Sequence, residues 1–251
     1  MSIVNNLYGF TYNLINNVYI DIKRVMSVKL SFTLPEKLYL KDPQDTKYGR
    51  RLLTHAVELL DNLGFESFTF KKLGIKMESS EVSIYRYFEN KHLLLLYLNC
   101  WYWEWIGYLI DMSTMKSISS EEKLSKAIHC MIFAKTESHL SDYINEALLF
   151  QIIIKEGSKT YHVSGIDREN ESGLFIPYKD LVAKLANIIE ELNPDFIYAE
   201  SLGSTLFEMI NNQIFYVEHL PRLTSLSKNN TNKSLEQMVN HFAMAVISFK
   251  N

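Results

Sequence analysis

The residues whose types and spacing could do chemistry lie between positions 47 and 91, and they suit anion binding better than bond making. Thr69 stands where a short helix is expected to begin, a hydroxyl beside free backbone N–H groups, which is a natural phosphate site. Lys71, Lys72 and Arg86 add positive charge, and Lys47, Arg50 and Arg51 sit on or before the preceding helix. Ser80, Glu81, Val82 and Ser83 open the next short helix. Catalytic signatures are missing: there is no Gly-x-Ser-x-Gly, no glycine-rich phosphate loop and no His-Glu-x-x-His. Glu121-Glu122 and Glu190-Glu191 are adjacent, so each pair diverges on a helix. The histidines are scattered and Cys100 and Cys130 form no Cys-x-x-Cys, so neither a metal site nor a cofactor is expected, and the chain is read as a non-enzyme.

The elements that must position these residues follow from periodicity and caps. Two prolines in 35–43 deny a continuous helix there, so the stretch reads as a linker. Asp45 or Thr46 can cap a first helix carrying Leu52, Leu53, Ala56, Leu59, Leu60 and Leu63, and Gly64 ends it. Ser67 or Thr69 caps a second, with Phe70, Leu73 and Met77 on one side. Glu78-Ser79-Ser80 is a break, Ser80 caps a third helix over 81–88, and Asn90 caps a fourth running from Lys91 to about Met115. Two short helices joined by a tight turn and preceded by a longer one outline a helix-turn-helix. The remainder predicts helices over 120–138, 141–156, 174–192, 194–220 and 232–249, with 157–173 as one long irregular connection and a candidate gate.

The run Gly64-Phe65-Glu66-Ser67-Phe68-Thr69-Phe70-Lys71-Lys72-Leu73-Gly74, followed by Ser80-Glu81-Val82-Ser83-Ile84-Tyr85-Arg86-Tyr87-Phe88-Glu89-Asn90-Lys91, resembles the DNA-binding domain of the TetR family of transcriptional regulators. The resemblance spans about residues 46–95. It implies an all-α chain with three parts: an N-terminal extension over 1–43, a three-helix helix-turn-helix DNA-binding domain over 44–92, and a helical ligand-binding and dimerisation domain over 93–251, the last two joined by a long helix 4. It also implies a homodimer on a pseudo-palindromic double-stranded operator, with Tyr85 and Tyr87 near the DNA backbone and Lys91 opening helix 4. Two positions depart from the pattern. Glu78 stands where the turn usually has Gly, at a cost of about 1 kcal/mol if its φ is positive. Gly74 replaces the usual Ala and keeps helices 2 and 3 close.

A recognition helix offers its N-terminal residues to base edges in the major groove. Glu81 can accept from a cytosine amino group, Ser83 can bond either way and Val82 can touch a thymine methyl, but no Arg is placed for a guanine. Direct readout is therefore expected to be modest, with phosphate contacts and DNA shape contributing much of the affinity. Phe70, Leu73, Ile84, Phe88 and Leu60 are assigned to the core, and one of Tyr85 and Tyr87 is expected to be partly buried. The segment 27–45, with Lys29, Lys37 and Lys41 but no Arg, is a weak minor-groove arm.

The back of the chain is less specific. Tyr97, Trp101, Trp105 and Tyr108 fall on one helical face, which reads either as a pocket wall or as plain core. With polar groups such as Glu104, His129, His139, Glu146, Gln151 and His162 they would form the site of a small, largely apolar effector, Gln151 and His129 being the preferred polar partners. Trp103 lies off the stripe and reads as a surface or interface residue. Leu206, Ile210 and Ile214, then Phe242 and Val246, are the candidate dimer interface, where Ala199, Gly203 and Ser204 would permit close approach.

The chain has 251 residues, 47% of them hydrophobic and 13% aromatic, which excludes a disordered or collagenous polymer. Two cysteines are too few for a disulfide framework, so a reducing cytoplasm is expected. No apolar stretch approaches the ~20 residues of a membrane span. Residues 1–25 fail as a signal peptide because asparagines interrupt any apolar run and no basic residue precedes Lys23; they are read either as an arm or as an extension ahead of a start at Met26. Net charge is +2 over 26–100 and −6 over 101–251, so only the front suits a polyanion. The working reading is a dimeric TetR-type repressor released by a small molecule. The competing class is a helical protein-interaction or membrane-surface protein, motivated by the Trp-rich helix 4 and the Tyr/Asn-rich N-terminus.

Overall fold

The computed structural model describes residues 30–137 and 141–249; the stretch 1–25 and the candidate His139 lie outside them. Among the described residues every regular element is a helix. The head consists of α1 (Lys47–Ser67), α2 (Phe70–Lys76) and α3 (Glu81–Tyr85). The long α4 (Lys91–Thr114) leads into a body of α5 (Ser120–Glu137), α6 (Glu146–Glu156), α7 (Ile166–Glu171), α8 (Ile176–Leu192), α9 (Ala199–His219) and α10 (Thr231–Ile247). In this body α4 packs on α5 and α8, α9 lies between α8 and α10, and α6 reaches back onto α1.

Local capping sets most boundaries. Thr46 accepts the Gly49 N–H at 2.9 Å, and Asn90 accepts the Leu93 N–H at 2.9 Å. Gly64, with φ 71° and ψ 164°, breaks α1 inside its last turns, a backbone region open essentially to glycine. Residues 31–45, part of which reads from sequence as a linker, fold onto the rest: Leu34 and Leu38 are buried, and Phe32 meets Trp101 edge-on with ring centroids 5.2 Å apart. The prolines prevent a helix there but do not prevent packing. Gln44 holds the segment, exchanging hydrogen bonds with the Phe32 backbone at 3.1 and 2.8 Å and accepting from the Tyr143 hydroxyl at 2.8 Å.

Several elements differ from expectation. The third helix is shorter than 81–88, because the N–H groups of Tyr87 and Phe88 both donate to Ile84 O and tighten the chain into the turn before Asn90. The sixth begins at Glu146 rather than 141, since Ser141 Oγ accepts from Tyr143 and Ile144 and forms a turn that Asn145 ends as a cap. The connection 157–173 is not a loose gate. It contains a 3-10 turn, Gly157–Thr160, and α7, and it is tied down by His92 Nε2 to Glu169 Oε1 at 2.8 Å.

The turn between α2 and α3 behaves as its sequence implies. Glu78 has φ 51°, and a Cβ on Gly74 would lie 2.9 Å from Ser79 O. Relieving the first strain and creating the second have opposite signs. Glu78→Gly is expected to raise stability by about 0.5–1 kcal/mol, a few degrees in Tm, and Gly74→Ala to lower it by about 1 kcal/mol despite its better helix propensity. Thermal unfolding of both variants beside the parent checks this; a Glu78→Gly midpoint at or below the parent's means the turn stores no strain.

Candidate nucleic-acid interface

The head folds around Leu60, Phe70, Leu73, Met77, Ile84 and Phe88, all buried. That small core sets the two short helices side by side. Thr69 caps α2 by accepting the Lys72 N–H at 3.2 Å; Ser80 caps α3 by accepting the Ser83 N–H at 3.3 Å, and its hydroxyl lies 2.9 Å from that of Ser83. The turn is fastened to α1 by the Arg51 guanidinium donating to Met77 O at 2.6 Å and by Tyr48 Oη to Ser79 Oγ at 2.9 Å. Lys76 is paired with Glu58 at 2.9 Å.

What remains outward is the candidate contact surface. Thr69, Lys71, Ser80, Val82, Tyr85 and Arg86 are exposed, Glu81 and Ser83 partly so. Lys71 and Arg86 form no ion pair among the described residues, so both can reach a phosphate. Val82 is 66% exposed, and Tyr85 is 46% exposed with its ring edge-on to Phe70. Ile75 on α2, 71% exposed, is an apolar member of this surface that the sequence pattern did not single out, since a lone Ile on a short helix reads as core. Glu78 and Glu89 are also exposed, so the surface is mixed rather than strongly basic.

Two residues assigned to DNA by resemblance have other partners. Tyr87 is buried, stacked on Tyr48 with centroids 5.6 Å apart, and its hydroxyl lies 2.8 Å from Thr46 Oγ1. Lys91 donates to the carbonyls of Phe65, Glu66 and Phe68 at 2.9, 3.2 and 3.2 Å, with Nζ 4.6 Å from the Phe65 ring centroid. An ammonium has three donors, and here all three close the broken end of α1. Both side chains therefore build the head instead of facing outward from it.

In the body the aromatic stripe is core. Tyr97, Trp101 and Trp105 are fully buried; Tyr97 packs on Phe88 and Tyr39, and Trp101 lies against Phe32 and Trp105. These rings fill one another's space, while Tyr108 and Gln151 are half-buried. His129 Nδ1 is 2.8 Å from Glu236 Oε1 with its ring stacked on Phe133. Trp103, expected at a surface or an interface, is 1% exposed within the subunit and stacked on Tyr178 at 4.7 Å. Among the interface candidates, Leu206, Ile210 and Ile214 are 1%, 1% and 2% exposed, so their apolar face already meets this subunit. Gly203 serves the same packing: a Cβ there would lie 3.2 Å from Leu185 Cβ and from Val182 O on α8. Phe242 and Val246, 48% and 46% exposed, remain outward on α10, near Phe249 at 73%.

Comparison with solved structures shows the TetR-type fold. The chain superposes on a bacterial regulatory protein of the TetR family from Rhodococcus RHA1 with a TM-score of 0.58 and 12% identity, over 82% of this chain and 100% of that one. It superposes on the superantigen PfiT at 0.54 and 15%, over 84% and 100%, and on the TetR-family transcriptional regulator PfmR from Thermus thermophilus at 0.50 and 12%, over 80% and 99%. At such identities the likeness is one of fold, and these neighbours differ in what they do. No protein-family model and no curated protein sequence matches the chain.

The opposite placements of two lysines make a direct comparison. Lys91→Met keeps the stem and removes the three carbonyl bonds, and is expected to cost about 1–2 kcal/mol after allowance for its partial exposure. Lys71→Met should stay within about 0.5 kcal/mol of the parent. Urea unfolding of the two variants checks this; equal midpoints would mean Lys91 does not hold the end of α1.

Proposed function

We propose that the chain is a TetR-type DNA-binding transcriptional regulator, acting as a homodimer and in the simplest reading as a repressor. The observation that carries this is the head surface: two capped short helices present Thr69, Lys71, Ser80, Val82, Tyr85 and Arg86 outward while every larger apolar group but Ile75 and the partly exposed Tyr85 turns inward. Glu81, Val82 and Ser83 would meet base edges; Lys71, Arg86, Tyr85 and the start of α2 at Thr69 would meet phosphates. No catalytic constellation competes with this reading among the described residues, where no group of three His, Cys, Asp or Glu could hold a metal. No described helix is long and apolar enough to cross a membrane, and a cytoplasmic place accompanies the proposal.

Dimerisation follows from the reach of one short recognition helix, which gains useful affinity only when a second half-site is bound. The outward face of α10 supports it. Val246 and Phe249 line, with Ile197 and Tyr198, a groove of ≈ 1240 Å³ at the junction of α8, α9 and α10, and the exposed Phe242 stands one turn before Val246. Leu206, Ile210 and Ile214 belong beneath that surface, in the subunit's own core. An effector in the body would act on the head through two routes: α4 itself, and α6, which packs on α1. The stripe of Tyr97, Trp101 and Trp105 is closed on itself, so a purely apolar effector has no vacant wall there.

The test is binding of purified protein to its own upstream intergenic DNA across a salt series. Specific binding is expected to fall with salt, and Lys71→Ala and Arg86→Ala each to lower the log–log salt slope by about two per dimer, one from each protomer. Tyr85→Phe, which keeps the ring against Phe70 and removes only the hydroxyl, should weaken binding without altering the melt. Phe242→Asp is expected to give a monomer by light scattering, with operator affinity reduced by at least about tenfold. Binding that ignores sequence at every salt, or a Phe242→Asp dimer of unchanged affinity, would count against the corresponding half of the proposal.

A further inference from the structure

A small cleft of ≈ 40 Å³ opens between α4, the end of α6, the following turn and α9, lined by Asn99, Trp103, Gly157, Tyr161, Glu208 and Asn211 among others. Its chemistry is unlike the rest of the body. Glu208 Oε1 accepts from the hydroxyls of both Tyr161 and Tyr178 at 2.8 Å, and the carboxylate forms no ion pair among the described residues. Trp103, Tyr178 and Tyr161 form a stack beside it, with successive centroids 4.7 and 6.1 Å apart and planes 13° and 28° from parallel. Burial, then the Glu208 charge, pushes both phenols well above their usual range, so they remain donors. The wholly buried Tyr102 hydroxyl, which feels the same carboxylate, has no hydrogen-bond partner among the described residues.

A half-buried carboxylate ordinarily has a cation opposite it or donors on both oxygens. Glu208 has two donors on one oxygen and, among the described residues, none on Oε2. Asn99, 1% exposed, donates its amide to Leu95 O at 3.0 Å, which leaves its Oδ1 as an acceptor beside Gly157. Carboxylate, carboxamide oxygen and aromatic faces together are acceptors and π-clouds, the groups that receive an ammonium head. That volume exceeds the roughly 10–15 Å³ of free space that a single water needs, so a group the size of an ammonium head can enter. The exposed Ser158 and Asn212 at the rim leave an exit for an alkyl chain. A single carboxylate does not make a metal site.

We propose that this cleft binds small aliphatic primary amines, with Glu208 pairing with the ammonium head. Resting on the regulator reading above, the site names the effector class, an amine in place of an apolar molecule. The connection to the head is short. Gly157 follows Glu156, whose Oε1 accepts the Phe65 N–H of the α1 terminus at 3.0 Å, so a ligand that moves this turn moves the end of α1.

The experiment titrates the full chain with n-butylamine hydrochloride, with n-butanol and sodium butyrate at matched ionic strength as neutral and anionic controls, reading tryptophan fluorescence and Tm. Saturable response to the amine alone is expected, weakened at least about tenfold in Glu208→Gln and several-fold in Tyr178→Phe. Tyr178→Phe keeps the ring stack and so stands in if Glu208→Gln does not fold. An equal response to butanol, no saturation, or an affinity unchanged in the variants overturns the site. Operator affinity is measured separately with and without butylamine. Amine binding that leaves operator affinity unmoved overturns the effector role alone, and absent operator binding overturns the regulator reading while the fluorescence titration still judges the cleft.

Discussion

The structure depends on the burial of α4. From Leu94 to Trp103 every residue is withdrawn from solvent, including two tryptophans and two tyrosines. A helix apolar on all sides has only one place to go, the centre of a helical body, and each large ring contributes about 3 kcal/mol of transfer free energy by being there. The other helices are then placed by what α4 needs covered: α5 and α8 along its length, α6 and the 157–160 turn beside it, and the 31–45 segment over its N-terminal half. Because the same helix starts at Lys91 in the head, head and body share one rod.

That rod meets the head at a single joint. Gly64 breaks α1 near its end, and beyond the break the carbonyls of Phe65, Glu66 and Phe68 and the N–H of Phe65 find partners on other helices. Lys91 from α4 takes the carbonyls and Glu156 from the end of α6 takes the N–H. Such orphan groups are costly to leave unpaired, so both helices are pinned to one short stretch just ahead of the Thr69 cap. This explains why the Lys91 ammonium is not presented to a phosphate, and it gives two body helices purchase on the start of α2.

Legibility tracks range. Ser80 and Asn90 cap where the sequence puts them, and Thr46 and Thr69 are each one of the two candidates it offers, because a cap is decided within three residues; the left-handed Glu78 follows from its place in a tight turn. The helical class and nearly all elements follow from periodicity in the same way. Lys91 could not be told from Lys71 by sequence, since its acceptors lie 23 to 26 residues away. The apolar face of Leu206, Ile210 and Ile214 records burial but not which subunit does the burying. Glu208 belongs to no local motif, its tyrosines being 47 and 30 residues distant.

The two aromatic faces of α4 differ in what they border. Tyr97 and Trp101 turn toward rings of the head and the 31–45 segment, and Trp105 packs on Trp101 and Tyr102, so that side is closed aromatic packing. Trp103 turns toward Tyr178, and the stack on that side borders a carboxylate and two buried carboxamides. Packing alone gives no reason for the second arrangement. An apolar residue at 208 would remove the acceptor that the Tyr161 and Tyr178 hydroxyls share, whereas Glu208 satisfies both on one oxygen and keeps the other without a donor among the described residues. Buried polar atoms without a partner among the described residues occur elsewhere, at Trp101 Nε1 and Glu169 Oε2, so it is the convergence of two phenols on one carboxylate beside a cleft that sets the Glu208 side apart.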